Sequence, residues 1–265
     1  MTYAAFKKTV WNYYRKYRRD MPWRENITPY RIVVSEIMLQ QTQANRVVGK
    51  FNSFIKRFPD FKGLAKASLQ DVLKEWQGLG YNRRALNLHK LAQIVKDKLP
   101  ETYEGLLELP NIGPNTAGSI LAFAFNIPHP FIETNIRTVY IHFFFKNRKG
   151  KVHDKKLIPI IAETLDTKNP REWYYALMDY GAYLKKTQTN PSRRSKHHVK
   201  QSKFKGSNRE LRSNILKIIL KKPQVFESIT KHFPERSVIS IDKNLRDLQK
   251  EGFIVLKENT YHIKA

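Results

Sequence analysis

Two glutamates, Glu36 and Glu133, are candidate catalytic carboxylates, one as a proton donor and the other as a negative charge that stabilises a cation. Glu36 lies between Ser35 and Ile37 in the apolar stretch SEIMLQQT, where partial burial would raise its pKa and keep it protonated, as a general acid requires. The alternative for Glu36 is an exposed position on the polar stripe of the same helix. Glu133 precedes a predicted helix, so its carboxylate also suits the role of complementing that helix N-terminus. A neutral and an ionised carboxylate at one site could combine acid catalysis with stabilisation of a cation.

A short break separates two apolar, helix-like runs in the middle of the chain. The stretch LELPNIGPNTAGSILAFAF, residues 107–125, places Pro110, Gly113 and Pro114 within five positions. Prolines forbid a continuous helix, while the apolar residues on both sides recur at helical spacing. The stretch therefore predicts helix, hairpin and helix over residues 106–125. Pro114 suits the first turn of the second helix, and Gly113 is expected to take a backbone conformation that turns amides outward, towards a phosphate.

The charge of the chain points to a polyanionic partner. Its 265 residues contain 49 Lys and Arg against 23 Asp and Glu, a formal net charge of +26. Aromatic residues make up 12% and hydrophobic residues 41%, which is enough for a packed core and excludes a disordered basic tail. There is no cysteine, so disulfides, thiolate catalysis and Cys-ligated metal sites are excluded. No apolar run approaches the ~20 residues that span a bilayer, and the N-terminus lacks a signal-peptide pattern, so we expect a soluble intracellular protein.

The chain changes character near residue 205. Residues 1–205 show helical periodicity almost throughout, with short Pro, Gly and Asn breaks. The segment from Lys185 to Lys205 carries eight Lys and Arg and no acidic residue, and is either a linker or a strap that tracks phosphates. Residues 207–265 show three short helical patterns followed by FIVLKENTYHI, which predicts a β-hairpin. This order resembles a winged helix, a module that binds DNA or serves only protein contacts.

Six motifs in order along residues 15–185 resemble the helix-hairpin-helix (HhH-GPD) DNA glycosylases, and among them the MutY-type adenine glycosylases and endonuclease III. The hairpin alone would be weak evidence, because it also occurs in ligases and polymerases. The motifs are RRDMPWR, SEIMLQQTQ, WQGLGYNRRALNLHK, LPNIGPNTAG, IETNIRTV and ALMDYGAYL. The resemblance implies an all-α fold of two lobes with the active cleft between them, and a hairpin that grips the backbone beside a nucleotide turned out of the duplex.

The resemblance assigns the catalytic roles. Glu36 stands where MutY-type enzymes carry the glutamate that protonates adenine N7. Glu133 stands where the superfamily has a nearly universal aspartate, so the carboxylate is kept but is one methylene longer, about 1.3 Å, and misplacement on that scale can cost ~100-fold in rate. Asn135 matches the family asparagine that orients the sugar or the water. Asn115 replaces the Schiff-base lysine of the bifunctional enzymes, and an amide forms no imine, so a monofunctional glycosylase is expected.

The resemblance also implies which residues contact the base and the duplex. Trp23 and Arg24 match the motif that lines the base pocket, although Trp23 could instead pack the lobes together. Tyr175 stands where the adenine enzymes place a Gln or Glu that reads the base edge, and Asn115 belongs to the same pocket. The predicted DNA contacts are a pair that wedges into the duplex, two hairpin residues and three basic-loop residues: Gln41, Tyr81, Asn111, Gly113, Arg193, Arg194 and Lys196. The alternatives for Gln41 and Tyr81 are a surface glutamine and a packed core tyrosine.

The iron–sulfur cluster usual in MutY and endonuclease III is not expected here. Its four ligand positions fall on Lys185, Ser192, Ser195 and Gln201, so no cofactor and no metal is predicted. The MutY-type C-terminal module that resembles a nucleotide hydrolase is also missing, and the winged-helix-like segment takes its place.

Together these observations predict an all-α two-lobed glycosylase fold followed by a small α+β winged-helix domain. Residues 25–130 would form one lobe, residues 1–24 and 131–205 the other, and residues 207–265 the third domain. The predicted function is a monofunctional base-excision glycosylase, most simply one that removes adenine opposite guanine or 8-oxoguanine. The alternatives are a thymine, uracil or hypoxanthine mismatch glycosylase, and a non-catalytic winged-helix DNA-binding protein. We expect a monomer that acts on mismatched or damaged double-stranded DNA in the cytoplasm, associated with the nucleoid.

Overall fold

The computed structural model describes residues 1–199 and 202–264, and these are predominantly helical. Short polar or proline-containing segments separate the helices, as the sequence predicts. The α-helices are α1 Tyr3–Tyr17, α2 Pro22–Glu25, α3 Pro29–Leu39, α4 Ala44–Arg57, α5 Phe61–Lys66, α6 Leu69–Trp76, α7 Arg83–Val95, α8 Tyr103–Leu107, α9 Pro114–Phe125, α10 Thr134–Phe145, α11 Ile158–Thr164, α12 Pro170–Thr187, α13 Asn208–Lys221, α14 Phe226–Lys231 and α15 Val238–Glu251.

The helix boundaries follow from local capping chemistry. The side chains of Asp60, Ser68 and Ser207 each accept a backbone N–H from the first turn of α5, α6 and α13. Pro114 occupies the first turn of α9, where its missing N–H leaves no helical bond unmade. The predicted helix, hairpin and helix are thus present as α8, residues 108–113 and α9.

Residues 1–36, together with the described residues from 99 to 199, form one compact unit. Its core is aromatic: the ring centroid of Phe6 on α1 lies 5.1 Å from that of Tyr140 on α10 and 5.9 Å from that of Trp173 on α12. Gly181 on α12 touches the backbone of Asn135, since an added Cβ would lie 2.4 Å from the Asn135 carbonyl oxygen. Any side chain at Gly181 would therefore push α12 away from the start of α10.

Residues 37–98, together with residues 202–264, form the second compact unit. Its C-terminal part contains α13 to α15 and a three-stranded antiparallel sheet of β1 Gln224–Val225, β2 Ile254–Lys257 and β3 Thr260–Ile263 in the order β1-β3-β2. Glu258 and Asn259 join β2 to β3 with φ of 47° and 58°, as a tight hairpin turn requires. The predicted hairpin and the small α+β domain are confirmed. The sequence did not predict β1, whose two residues are too short to give a pattern.

The compact units divide the chain differently from the predicted lobes. Residues 99–130 pack with residues 131–199, whereas the sequence reading grouped them with residues 25–98. The reason is that α8 packs on α9 and α9 packs on α12, which periodicity along the chain does not reveal. The division into three domains stays a prediction. Within the described residues, no helix is long and apolar enough to cross a membrane.

Candidate active site

Glu36 lies on α3 among buried apolar side chains. Val33, Val34 and Ile37 are fully buried, and Glu36 itself is half-buried. Burial raises the pKa of Glu36 to about 7, a hydrogen bond from Ser119 lowers it, and the negative charge of Glu133 raises it further. A carboxyl with this pKa is largely protonated below neutral pH. Glu36 is therefore suited to donate a proton.

The hydroxyl of Ser119 links Glu36 to the backbone. Ser119 lies on α9, is 2% exposed, and its Oγ is 2.5 Å from Glu36 Oε2 and 3.0 Å from the Thr116 carbonyl oxygen. A hydroxyl has one hydrogen, so it can donate to only one of these oxygens at a time. When Glu36 is ionised, Ser119 donates to it; when Glu36 is protonated, Glu36 can donate to Ser119, and Ser119 to Thr116. Either charge state of Glu36 thus has a hydrogen-bond partner.

Glu133 is the N-cap residue of α10. Its Oε1 accepts the backbone N–H groups of Asn135 at 2.7 Å and Ile136 at 3.0 Å. Its Oε2 accepts only a longer bond, 3.3 Å, from the side-chain amide of Asn135. Glu133 therefore does complement the helix N-terminus, as the alternative interpretation held. Oε1 therefore accepts two backbone N–H groups, whereas Oε2 accepts one hydrogen bond from a side-chain amide.

Asn115 and Lys185 also belong to the surroundings of Glu133. The Asn115 side-chain oxygen accepts the Ile132 N–H at 3.1 Å, so it fixes the segment that leads into Glu133. Asn115 is thereby tied to the segment that precedes α10, and its place in the base pocket stays a prediction. Lys185 follows Gly181 by one helical turn, and burial lowers its pKa while the charge of Glu133 raises it. A cationic side chain therefore lies on the side of Glu133 that α12 forms.

Arg24, predicted to line the base pocket, is held in a buried ion pair. Its Nη1 and Nη2 each donate to an Asp179 carboxylate oxygen at 2.9 Å, and both residues are at most 6% exposed. Its guanidinium carbon also lies 4.3 Å from the ring centre of Tyr175. The charge of Arg24 is thus already paired with Asp179, while its guanidinium packs against the ring of Tyr175. Trp23 is 5% exposed, which fits the packing role as well as the pocket role.

Tyr175 places a polar atom in an apolar environment beside Glu36. Its ring stacks on Phe123 with centroids 4.6 Å apart and planes within 6°. Burial raises its pKa, and the charge of Glu36 raises it further, so the phenol stays neutral. Its hydroxyl is buried without a hydrogen-bond partner among the described residues. An unpartnered buried hydroxyl is costly, which is the condition expected of a group that a ligand would satisfy.

The hairpin uses Asn111 rather than Gly113 for its unusual backbone conformation. Asn111 has φ of 65°, whereas Gly113 has φ of −96° and ψ of 176° and is the N-cap of α9. The extended conformation of Gly113 is one that any residue adopts, so it makes no use of the conformational freedom of glycine. Asparagine tolerates the left-handed region better than most residues, because its short side chain hydrogen-bonds locally. Gly113 caps α9 without a side-chain hydrogen bond, and Pro114 occupies its first turn.

In the second unit, the predicted wedge residues both adopt left-handed backbone conformations. Gln41 follows α3 with φ of 54°, and Tyr81 precedes α7 with φ of 49°. Gln41 is exposed and Tyr81 is half-buried. Non-glycine residues at such angles cost about 1–3 kcal/mol each, persist only where surrounding structure holds them, and concentrate at functional sites.

The basic loop is the segment after α12 that contains Arg193, Arg194 and Lys196. Arg194 is hydrogen-bonded to backbone carbonyls, whereas Arg193 and Lys196 are exposed. Arg194 Nη1 donates to the carbonyl oxygens of Phe145 at 2.7 Å and Lys146 at 3.0 Å, and Nη2 donates to that of Arg148. Arg194 thus completes the C-terminus of α10 with three of its five N–H donors, and its phosphate contact stays a prediction.

The side chains at the predicted cluster-ligand positions do not fit an iron–sulfur cluster. Ser192 and Ser195 are at most 2% exposed and make hydrogen bonds within the loop, and Lys185 is an amine. Clusters need thiolates, which this chain does not contain. Gln201 lies outside the described residues.

Sequence reasoning missed Ser119 and Lys185 as parts of the site. Ser119 is a polar residue on an otherwise apolar helical face, and Lys185 follows Gly181 by four residues on α12. Each signal is present in the sequence, but neither identifies its partner.

Comparisons with known proteins identify related sequences and folds. Residues 34–162 match the model of the HhH-GPD superfamily of base excision DNA repair proteins. The adenine DNA glycosylase of Buchnera aphidicola subsp. Baizongia pistaciae is 38% identical over 189 residues, which is 69% of this chain and 54% of that protein. The adenine DNA glycosylase of Mycobacterium tuberculosis (strain H37Rv) is 41% identical over 132 residues, 48% of this chain and 43% of that protein.

Solved structures share the fold. A thermostable thymine-DNA glycosylase superposes with a TM-score of 0.63 at 24% identity, covering 71% of this chain and 90% of that one. Endonuclease III in a covalent DNA intermediate gives a TM-score of 0.53 at 14% identity, covering 69% and 86%. The chain spans about half the length of the curated relatives it matches.

Proposed function

We propose, from the match of residues 34–162 to the HhH-GPD superfamily of base excision DNA repair proteins, that this chain is a member of that superfamily and a monofunctional DNA glycosylase that excises mispaired adenine. The observation that carries the proposal is the buried environment of Glu36, which raises its pKa and which includes the charge of a second carboxylate, Glu133. Cleavage of a purine N-glycosidic bond needs a proton on the leaving base and a negative charge near the developing sugar cation. These two glutamates supply both.

The proposed reaction assigns one step to each residue. Glu36 protonates N7 of an adenine that has left the duplex, which makes the base a better leaving group. Oε2 of Glu133, which accepts no backbone N–H among the described hydrogen bonds, stabilises the oxocarbenium-like sugar, and water then attacks the anomeric carbon. Asn135, bonded to that oxygen, orients the sugar or the water.

Base recognition is proposed for a pocket of Trp23, Tyr175 and the Arg24 that supports Tyr175. The neutral hydroxyl of Tyr175, which has no hydrogen-bond partner among the described residues, would form a hydrogen bond to the base edge. A phenol can both donate and accept, so it suits adenine and also a pyrimidine carbonyl. This keeps thymine or uracil opposite guanine, and hypoxanthine, as the second candidate substrates.

Double-stranded DNA is the proposed partner. The net charge of +26 supports it, as do the open N-terminus of α9 and the exposed cations Arg193 and Lys196. Asn111 and Gly113 would contact the backbone beside the extruded nucleotide, while Gln41 and Tyr81 would enter the duplex. We further propose that the protein acts as a monomer on chromosomal DNA in the cytoplasm, at the nucleoid.

One panel of duplexes tests the activity and its monofunctional character. Each duplex carries adenine, thymine, uracil or hypoxanthine opposite guanine or 8-oxoguanine, and is incubated with enzyme and then with or without alkali. We expect adenine release, with strand cleavage only after alkali, because the Asn115 amide cannot form an imine. Borohydride should trap no covalent complex. Trapping at the level of a lyase would contradict a monofunctional enzyme, and tight binding without excision of any base would favour a non-catalytic DNA-binding protein.

Ser119→Ala tests the assignment of Glu36 as the acid. The Ser119 hydrogen bond lowers the pKa of Glu36, so its removal should raise that pKa above its value of about 7. Because the acid must be protonated, the alkaline fall in the single-turnover rate should move to higher pH in the variant. The pH–rate profiles of both proteins, with the Glu36 pKa followed by carboxyl-carbon NMR, measure the shift. A lower alkaline midpoint in Ser119→Ala would contradict the assignment.

A further inference from the structure

Tyr81 is contacted by a residue of the C-terminal domain, which lies outside the matched family segment. Arg209, the second residue of α13, donates from Nη1 to the Tyr81 hydroxyl oxygen at 2.5 Å. The Arg209 guanidinium carbon lies 5.3 Å from the centre of the Tyr81 ring. Because arginine has no acceptor, the Tyr81 oxygen must accept this charge-assisted bond. Arg209 therefore fixes both the ring and the hydroxyl of Tyr81.

A second arginine holds the turn on which Tyr81 lies. Arg84 is 6% exposed, and its guanidinium donates to the carbonyl oxygens of Gln40 at 2.5 Å, Leu79 at 3.2 Å and Gly80 at 3.0 Å. Its guanidinium carbon is 5.6 Å from the Tyr81 ring centre. Arg84 thus joins the segment before Gln41 to the segment before Tyr81. This supplies the surrounding structure that two left-handed residues need.

A second contact, an ion pair between α15 and α7, joins the C-terminal domain to the same region. Glu251 on α15 pairs with Arg83 of α7 at 2.6 Å and also with Arg212 of α13. Arg209 Nη2 additionally donates to the Ser202 carbonyl oxygen at 2.7 Å. The Arg83–Glu251 pair therefore attaches the domain beside Tyr81 without involving Tyr81 itself, while the bonds of Arg212 and Ser202 lie within the C-terminal part.

We propose that the C-terminal domain is a positioning element for DNA recognition, in which Arg209 sets the orientation of the Tyr81 side chain. Arg209 acts through Tyr81 rather than on the base. This inference rests on the proposed role of Tyr81 as a DNA contact. It gives residues 207–265 a role in discriminating a mismatch from a normal pair, distinct from simple attraction of DNA by charge.

The test is a double-mutant cycle read by binding. Arg209→Ala, Tyr81→Phe and the double variant are each titrated with a duplex carrying the mismatch and with the fully paired duplex. The quantity compared is the Kd for the paired duplex divided by the Kd for the mismatched duplex. The ratio cancels the general loss of one positive charge. We expect each single variant to lower the ratio by about three- to tenfold, with the double variant no lower than the singles, because both remove one interaction. Arg209→Lys should restore part of the ratio.

Arg83→Ala is the matched control, because it removes one arginine and one attachment of the domain without touching Tyr81. It should leave the ratio unchanged, with Tm measured for every variant. Additive losses in the double variant, an unchanged ratio in Arg209→Ala, a wild-type ratio of one, or an equal loss in Arg83→Ala would each overturn the proposal. A failure of the glycosylase proposal is separate, since it appears as absent base excision by the wild-type protein while these binding ratios are still measurable.

Discussion

Glu36→Gln is expected to lower the single-turnover rate of base excision by about 10²- to 10⁴-fold, the usual contribution of a general acid. The amide matches the carboxyl in size and can still bond to the Ser119 hydroxyl, so the surroundings of α3 should be retained. It cannot deliver a proton to the leaving base. The measurement is a single-turnover time course on an adenine mismatch, with Kd for the same duplex determined in parallel. We expect Kd to change by less than about threefold.

The pH dependence separates loss of the acid from a general defect. In the wild-type protein, the rate should be constant at low pH and fall above the Glu36 pKa of about 7, because only the protonated form donates. The residual rate of Glu36→Gln should lack that fall. Glu36→Asp serves as the control that keeps a carboxyl but shortens its reach. A Glu36→Gln rate near that of the wild type would show that another group protonates the base.

Glu133→Gln is the second large effect, with an expected loss of about 10²- to 10³-fold in rate. The amide oxygen can still accept the Asn135 and Ile136 N–H groups, so α10 keeps its cap, while the charge that would stabilise the sugar cation is lost. Tm should therefore change little. Rate and Tm together decide between the two roles of Glu133. A rate near wild type in Glu133→Gln would mean that this residue only caps the helix.

Glu133→Asp asks whether the site is built for the longer side chain. Aspartate is also a good N-cap, so α10 should remain stable. Its carboxylate would be withdrawn by about 1.3 Å, and a displacement of that size can cost ~100-fold in rate. We expect a slower enzyme. An increase of tenfold or more would instead mean that glutamate is a damaging substitution in an otherwise ordinary site.

The sequence predicts those parts of the molecule that depend on local chemistry. Pro110 and Pro114 locate the hairpin, the apolar neighbours of Glu36 predict its raised pKa, and the hairpin pattern after residue 252 predicts β2 and β3. The position of Glu133 before α10 likewise follows from adjacent residues. Each of these inferences uses side chains within a few positions of one another.

What the sequence does not predict involves residues far apart in the chain. Ser119 reaches Glu36 across 83 positions, and Arg209 reaches Tyr81 across 128. Arg194 looks like a phosphate ligand because its neighbours are basic, yet tertiary packing directs it to backbone carbonyls at the end of α10. A local pattern gives the charge of such a residue but not its partner.

The hydrogen-bonded basic loop has a consequence for how the protein is made. Arg194 and the two buried serines hold this loop with nitrogen and oxygen atoms of the chain itself. Its assembly therefore requires no delivery of iron or sulfide, and oxidants that dismantle metal clusters find no metal–thiolate bond in these contacts. A cell that is starved of iron, or under the oxidative stress that produces damaged guanine, could still fold this segment from newly synthesised chain.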